Sequence, residues 1–205
     1  IDSIYHLTDV VPKLGKLSQN IKLHQISSDN LSKISALSAP QQLLATIKIP
    51  STEEFKIELL EGNFSIALDG IQDPGNLGTI IRTADWFGIK HIICSMDTVE
   101  AFNPKVVQAS MGSLARVRVI YSDLKDLFSR TKLPVYGALL DGKSIYKTTF
   151  GQEGILLLGN EGKGINADLI KMIDFPVTIP RLGSAESLNV AISASICCSE
   201  IRRNC

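Results

Sequence analysis

The 205-residue sequence predicts an α/β fold, a mostly parallel sheet with flanking helices. Three observations lead there. From residue 64 onward, short runs rich in Ile, Leu and Val alternate with amphipathic stretches of helical period, the signature of repeated strand–helix units. The run GILLLG at 154–159 is apolar at every interior position, as a strand buried on both faces requires. Glycine-rich polar stretches join several predicted strand ends to helices, where open parallel sheets hold ligands.

The elements follow in order. IKLHQIS reads as a strand, and SSDNLSKISAL as a short helix with a Ser/Asp start and Ile34 and Leu37 on one face. APQQLLATIKI runs into another strand. The polar, turn-like segment PSTEE at 50–54 marks a boundary, so 1–50 is a small αβ piece and 51–205 the main domain. FSIALDG is a strand, DPGNLG a turn, and TIIRTADWFG a helix stopped by Gly88. KHIICS is a strand and NPKVVQASMG a helix with Pro104 near its start. RVRVIYS is a strand and DLKDLFSRT a helix with an Asp start. PVYGALL and GILLLG are strands, NADLIKMI a helix and FPVTIP a strand. ESLNVAISASICCSEIRR closes the chain as a helix, apolar on nearly every side from Leu188 to Ile201, which calls for cover all round.

Composition narrows the function. With 21 basic and 21 acidic residues the chain is neutral, unlike proteins that wrap nucleic acid non-specifically. Residues 1–50 carry five Lys against three Asp, a balance of +2, and 51–205 carry −2. An RNA partner then needs local contacts. No apolar run approaches the ~18 residues of a membrane span. Cys94, Cys197, Cys198 and Cys205 form no CxxC pair, and two are adjacent, which suits a reducing cytoplasm rather than a disulfide framework. The three His are scattered, so no metal site is expected. The chain opens at Ile1 rather than Met, which points to a truncated or processed start.

Three loops carry the candidate chemistry: residues 69–78 (DGIQDPGNLG) with Arg82 just beyond, 159–164 (GNEGKG), and 179–189 (IPRLGSAESLN). Each also has a plain structural explanation. DPGN is good turn chemistry, and Arg82 can pair with Asp85 at i,i+3. GNEGKG serves as a tight turn, and it matches neither GxGxxG nor the Lys-Ser/Thr end of a Walker A loop. Ser184 or Ser187 can cap the last helix. All three falling on strand ends is harder to explain as turns alone.

DPGNLGTIIRTADWFG, LLLGNEGKGI and IPRLGSAESLNVAISASI resemble, in order and spacing, the three signature motifs of the SpoU (TrmH-type) RNA 2′-O-ribose methyltransferases of the SPOUT superfamily. The resemblance covers about residues 62–204. It implies a C-terminal deep trefoil knot, an S-adenosylmethionine cofactor, a tRNA or rRNA substrate and a homodimer. Residues 1–50 more faintly resemble the later part of an L30e-like substrate-binding domain, its early part absent from this chain.

By motif position the resemblance implies cofactor contacts at Gly159, Ile179 and Leu188, with Asn160 and Gly162 in the same loop. It makes Arg82 the central catalytic residue, with Asn76, Glu161, Ser187 and Asn189 as the other polar site positions. Asn76 would orient Arg82 or the ribose, Glu161 would accept from Arg82 or a backbone turn, and Ser187 and Asn189 would hold the 2′-oxygen. Arg82 has been proposed in the family as the base. A guanidinium with a pKa above ~12 is poorly suited to that, so a phosphate-holding, alkoxide-stabilising role is preferred. Arg181 departs from the family's usual Met, and either reaches an RNA phosphate or pairs with Glu186. The rivals are a catalytically silent SPOUT-like RNA-binding protein, disfavoured by the intact polar set, and an ordinary Rossmann enzyme, disfavoured by the missing GxGxxG.

Overall fold

The computed structural model describes residues 1–8, 10, 18, 20–37, 39–49 and 55–203. The predicted boundary segment 50–54 and Cys205 lie outside the described residues. The chain divides into two compact units, Ile1–Glu53 and Glu54–Cys205.

The first unit has a three-stranded sheet. β1 (Ser3–His6) lies between β2 (Lys22–Gln25), its parallel neighbour, and β3 (Leu43–Thr46), its antiparallel one. α1 (Ser28–Ile34) follows β2 and is capped by Ser27, whose side chain accepts from the Asn30 N–H. The expected Ile34–Leu37 face does not form. Ser35 ends the helix and takes the Leu37 N–H on its hydroxyl, and Leu31 is the residue that α1 buries.

The second unit runs β4 (Phe64–Leu68), α2 (Pro74–Trp86), β5 (His91–Cys94), α3 (Pro104–Ala109), β6 (Arg118–Tyr121), α4 (Leu124–Arg130), β7 (Val135–Ser144), β8 (Gly154–Leu158), α5 (Ala167–Ile170), β9 (Phe175–Thr178) and α6 (Val190–Arg203). The six strands pair in parallel throughout, in the order β6-β5-β4-β8-β7-β9. The predicted α/β class and parallel sheet are therefore present.

The pleat sorts the core. Ile66, Leu68, Leu156 and Leu158 face α2, α3 and α6, while Ala67, Ile155 and Leu157 face α4 and α5. All five residues of β8 are buried, as its two-sided apolar sequence predicted. Each fully buried Ile or Leu contributes roughly 1.5–3 kcal/mol. Gly78 lets α2 approach α3, because a Cβ there would stand 2.5 Å from the Ala109 Cβ.

Two element readings change. DPGNLG is the first turn of α2, not a free turn: Asp73 caps it by accepting from the Asn76 N–H at 2.7 Å, and Pro74 takes the first helical position. The closing helix starts at Val190, so Leu188 lies outside it and is 49% exposed. Its cap is Asn189, whose Oδ1 accepts from the Ala191 and Ile192 N–H groups, and not Ser184 or Ser187. Cover is also incomplete, since Ile192 remains 51% exposed while Val190, Ala191, Ala194, Cys197, Cys198 and Ile201 are buried.

α2 and α6 lie side by side in parallel. Asn189 meets Asn76, Thr83 meets Ser195 at 3.0 Å, and Arg202 Nε donates to the Phe87 carbonyl at 2.9 Å. The last contact puts a cation on the carbonyl end of α2, where the helix dipole favours it.

Candidate functional site

Between β4 and β8 the chain order of the sheet reverses direction, the position where open α/β sheets place ligands. The loops after β4 and β8 are tied together there. Asn160 Nδ2 donates to the Gly70 carbonyl at 2.6 Å, and Asn160 Oδ1 accepts from the N–H groups of Gly162 and Lys163, both at 2.9 Å. The amide of Asn160 is thereby engaged within the loops. Asp69 accepts from the Asn166 N–H at 2.6 Å and closes the same seam.

Gly159 serves this closure as well. A Cβ on it would lie 2.3 Å from Gly164 C and Ile165 N, and Gly164 itself has φ +71°. The glycines therefore first let the loop fold against its own backbone.

On this base three side chains meet. Asn76 Nδ2 donates to Glu161 Oε1 at 2.9 Å, and Asn189 Nδ2 donates to Asn76 Oδ1 at 2.9 Å. Asn189 spends its Oδ1 on the cap of α6, which turns its NH₂ toward Asn76. Asn76 must then accept on Oδ1 and present its own NH₂ to the Glu161 carboxylate. One residue from each of the three signature stretches joins in a single chain, Asn76 from the first turn of α2 and the other two from loops. Among the described residues Asn76 makes no hydrogen bond to Arg82 or to another cation, and Glu161 takes the Asn76 amide rather than Arg82.

Arg82 is exposed two turns along α2. The simple helix pair with Asp85 does not form. Asp85 is held by Arg116, through Nε at 3.1 and 3.0 Å and Nη2 at 2.7 Å, and by Ser113 at 2.7 Å. These bonds, Arg116 first, keep the Asp85 carboxyl below its usual range. Arg82 makes no hydrogen bond or ion pair with a described residue. Arg181 does not pair with Glu186; its Nη1 donates to the Ala185 carbonyl at 3.3 Å. Ser187 is exposed, Ile179 half-buried and Gly162 exposed.

The loops also leave apolar side chains open. Leu182 is 100% exposed, and Leu140 in β7 is 78% exposed. Thr178 Oγ1 donates to the Leu140 carbonyl at 3.2 Å, which ties β7 to the end of β9. A cavity of about 250 Å³ lies elsewhere, at the ends of β4, β5 and β6 on the α4/α5 face, with Asp69, Asp123 and Asp168 in its wall. Burial, with help from Asp97, pushes the Asp69 carboxyl up against the lowering effect of the Asn166 N–H. Sequence reasoning missed the Asp69–Asn166 and Asp85–Arg116 links, because their partners are far apart along the chain and carry no shared local pattern.

The sequence pattern of the SpoU rRNA Methylase family matches residues 63–199. The chain belongs to this family. It is 33% identical over 190 residues to the 23S rRNA (guanosine(2553)-2′-O)-methyltransferase RlmP of Bacillus subtilis, covering 91% of this chain and 75% of that one. Its fold matches a TrmH-family structure from Porphyromonas gingivalis with a TM-score of 0.88 at 39% identity, covering 99% of this chain and 82% of the other. It also matches an AdoMet-bound rRNA methyltransferase from Sinorhizobium meliloti with a TM-score of 0.82 at 27% identity, covering 99% and 80%. Among the described residues there is no His/Cys/Asp/Glu cluster fit for a metal, and no helix is long and apolar enough to cross a membrane.

Proposed function

We infer that this chain, an S-adenosylmethionine-dependent RNA 2′-O-methyltransferase of the SpoU family, carries out methyl transfer where Asn189, Asn76 and Glu161 meet, beside Arg82. The carrying observation is the Asn189–Asn76–Glu161 hydrogen-bond chain, which gathers the three loops into one polar corner. The cofactor fits the loop chemistry. Gly159 and Gly162 place no side chain over the loop backbone, and Leu140, Leu182 and Leu188 offer uncovered apolar surface to a purine. Backbone groups of Gly159, Ile179 and Leu188 would hold it, and it supplies an electrophilic methyl.

The protein's own part is to position and to stabilise charge. Arg82 has no carboxylate partner among the described residues, so its full positive charge is available to an RNA phosphate and to the alkoxide forming at the 2′-oxygen. The proton then leaves through the phosphate or water, since a neutral guanidinium is too rare at neutral pH. Asn76 is locked by its two amide bonds and fixes the corner rather than the guanidinium. Ser187 is free to meet the 2′-oxygen. Arg181 gives a second phosphate contact, supported by its lack of a carboxylate partner among the described residues.

We also propose the family's knot, supported by the return of the chain from the sheet edge at β9 to α6 beside α2. A homodimer through the loop before α6 and its first turn is supported by the exposure of Leu182, Leu188 and Ile192. An L30e-like, RNA-selecting role for residues 1–50, and a cytoplasmic setting in keeping with the free Cys94, Cys197 and Cys198, complete the reading.

The test incubates the protein with radiolabelled S-adenosylmethionine and unmodified tRNA and rRNA transcripts. Label in a ribose 2′-O-methyl nucleotide is expected. Cofactor binding with no transfer to either RNA would point to a silent RNA-binding protein instead.

A further inference from the structure

α2 exposes three side chains, Thr79, Arg82 and Trp86, at spacings of three and four residues, which set them on one face. Trp86 is 84% exposed. No described residue stacks on its ring or bonds its indole N–H. The rest of the α2 face is polar or cationic. The carboxylate within α2 itself, Asp85, is already matched by Arg116 and Ser113. The helix therefore offers a track with a guanidinium unpaired among the described residues and one aromatic plate, while the carboxylates of Asp73 and Glu161 stay at its N-terminal end.

Its length suits a strand of RNA. Arg82 lies about 9 Å along the axis from Asn76, and Trp86 about 6 Å further. Because α2 and α6 run parallel, the apolar residues Leu188 and Ile192 lie near the start of α2, while Trp86 lies at its far end. An apolar protein surface would find no second large apolar side chain exposed on α2 beside Trp86. A nucleic acid would find a phosphate contact and a stacking surface one turn apart. Base stacking on aromatic rings is sequence-tolerant and suits single-stranded segments.

We propose that Trp86 is the stacking platform for the base of an RNA nucleotide flanking the one whose ribose is methylated. This rests on the RNA methyltransferase reading above.

Trp86 is the chain's single Trp, so intrinsic fluorescence reports on it alone. The probe is in vitro transcribed 23S rRNA, with binding followed separately by filter retention. The free protein should emit as a solvated indole, and emission should be quenched as RNA binds. Trp86→Ala should weaken RNA retention roughly 5- to 150-fold while thermal-shift binding of S-adenosylmethionine is unchanged, and Trp86→Phe should restore most of the affinity. Wild-type methylation with unaltered RNA retention in Trp86→Ala, or emission unmoved in a complex that filter retention shows to be formed, would overturn the platform alone. So would blue-shifted emission in free protein that reddens on dilution, together with a monomeric Trp86→Ala, because the indole would then belong to a contact between copies. Wild-type protein that neither retains nor methylates RNA would overturn the functional reading along with the platform.

Discussion

Asn189 reaches Asn76 across 113 positions of chain, its Nδ2 donating to the Asn76 Oδ1 at 2.9 Å. The same Asn189 caps α6 with its other amide atom. One side chain thus joins the start of the last helix to the start of the first helix of the sheet unit. The cap fixes the orientation of the Asn189 amide, and Asn189 fixes that of Asn76.

The two ends of this link should separate in experiment. Asn76→Ala removes a site amide but leaves the backbone N–H that bonds Asp73, so methylation should fall about 100-fold or more with little change in melting temperature. Asn189→Ala loses the cap too, which costs about 1 kcal/mol, so activity and melting temperature should both drop. Kinetics beside thermal denaturation decide between these patterns. Equal melting losses in both variants would contradict the division of labour.

Arg82 acts by charge. Arg82→Ala should cost at least about 100-fold in kcat/KM with the fold intact by circular dichroism. Arg82→Lys should keep the wild-type pH–rate profile on a lower plateau. A profile that moved with the lysine's own pKa would make residue 82 the base.

Gly159→Ala should damage the loop directly. The new methyl would meet backbone at 2.3 Å, and relief requires moving the 164–165 segment. The expected loss is about 1–3 kcal/mol of stability, with weaker binding of S-adenosylmethionine by calorimetry. Normal cofactor affinity in a folded variant would show that the loop tolerates rearrangement.

Arg181→Ala should lower RNA affinity and reduce the salt dependence of binding by about one phosphate contact, with cofactor binding unchanged. Filter binding across a salt series measures both. An unchanged slope would leave Arg181 only its bond to the Ala185 carbonyl.

His91 gives a pH signature. Burial, then Arg118 and Lys90, holds its imidazole below the ordinary value of 6.5. As pH falls through that value the unfolded chain takes up a proton before the folded one does. Stability should therefore be full above about pH 7. It should decline as pH falls toward the lower folded pKa, and level off beneath it. His91→Gln should flatten the melting-temperature profile over that window. Parallel profiles for variant and wild type would rule the group out.

Much of this was legible in the chain. Strand–helix alternation foretold the parallel sheet, and GILLLG foretold a strand buried on both faces, because burial and period act locally. Asp123 and Pro104 marked helix starts for the same reason. The misreadings were local too. DPGNLG suits a turn and a capped first helical turn equally well, and the Asn76 N–H on Asp73 decided it. The apolar run from Leu188 suited a longer helix until Asn189 took the cap.

By itself the sequence determined the fold class, the three signature loops and hence the family, since motif, spacing and hydrophobic period are properties of order along the chain. Only the tertiary structure decided that Glu161 takes the Asn76 amide, that Asp85 belongs to Arg116, and that Arg82 and Trp86 are left facing outward. Those outcomes depend on which groups arrive within about 3 Å of one another, and packing, not chain order, sets that distance.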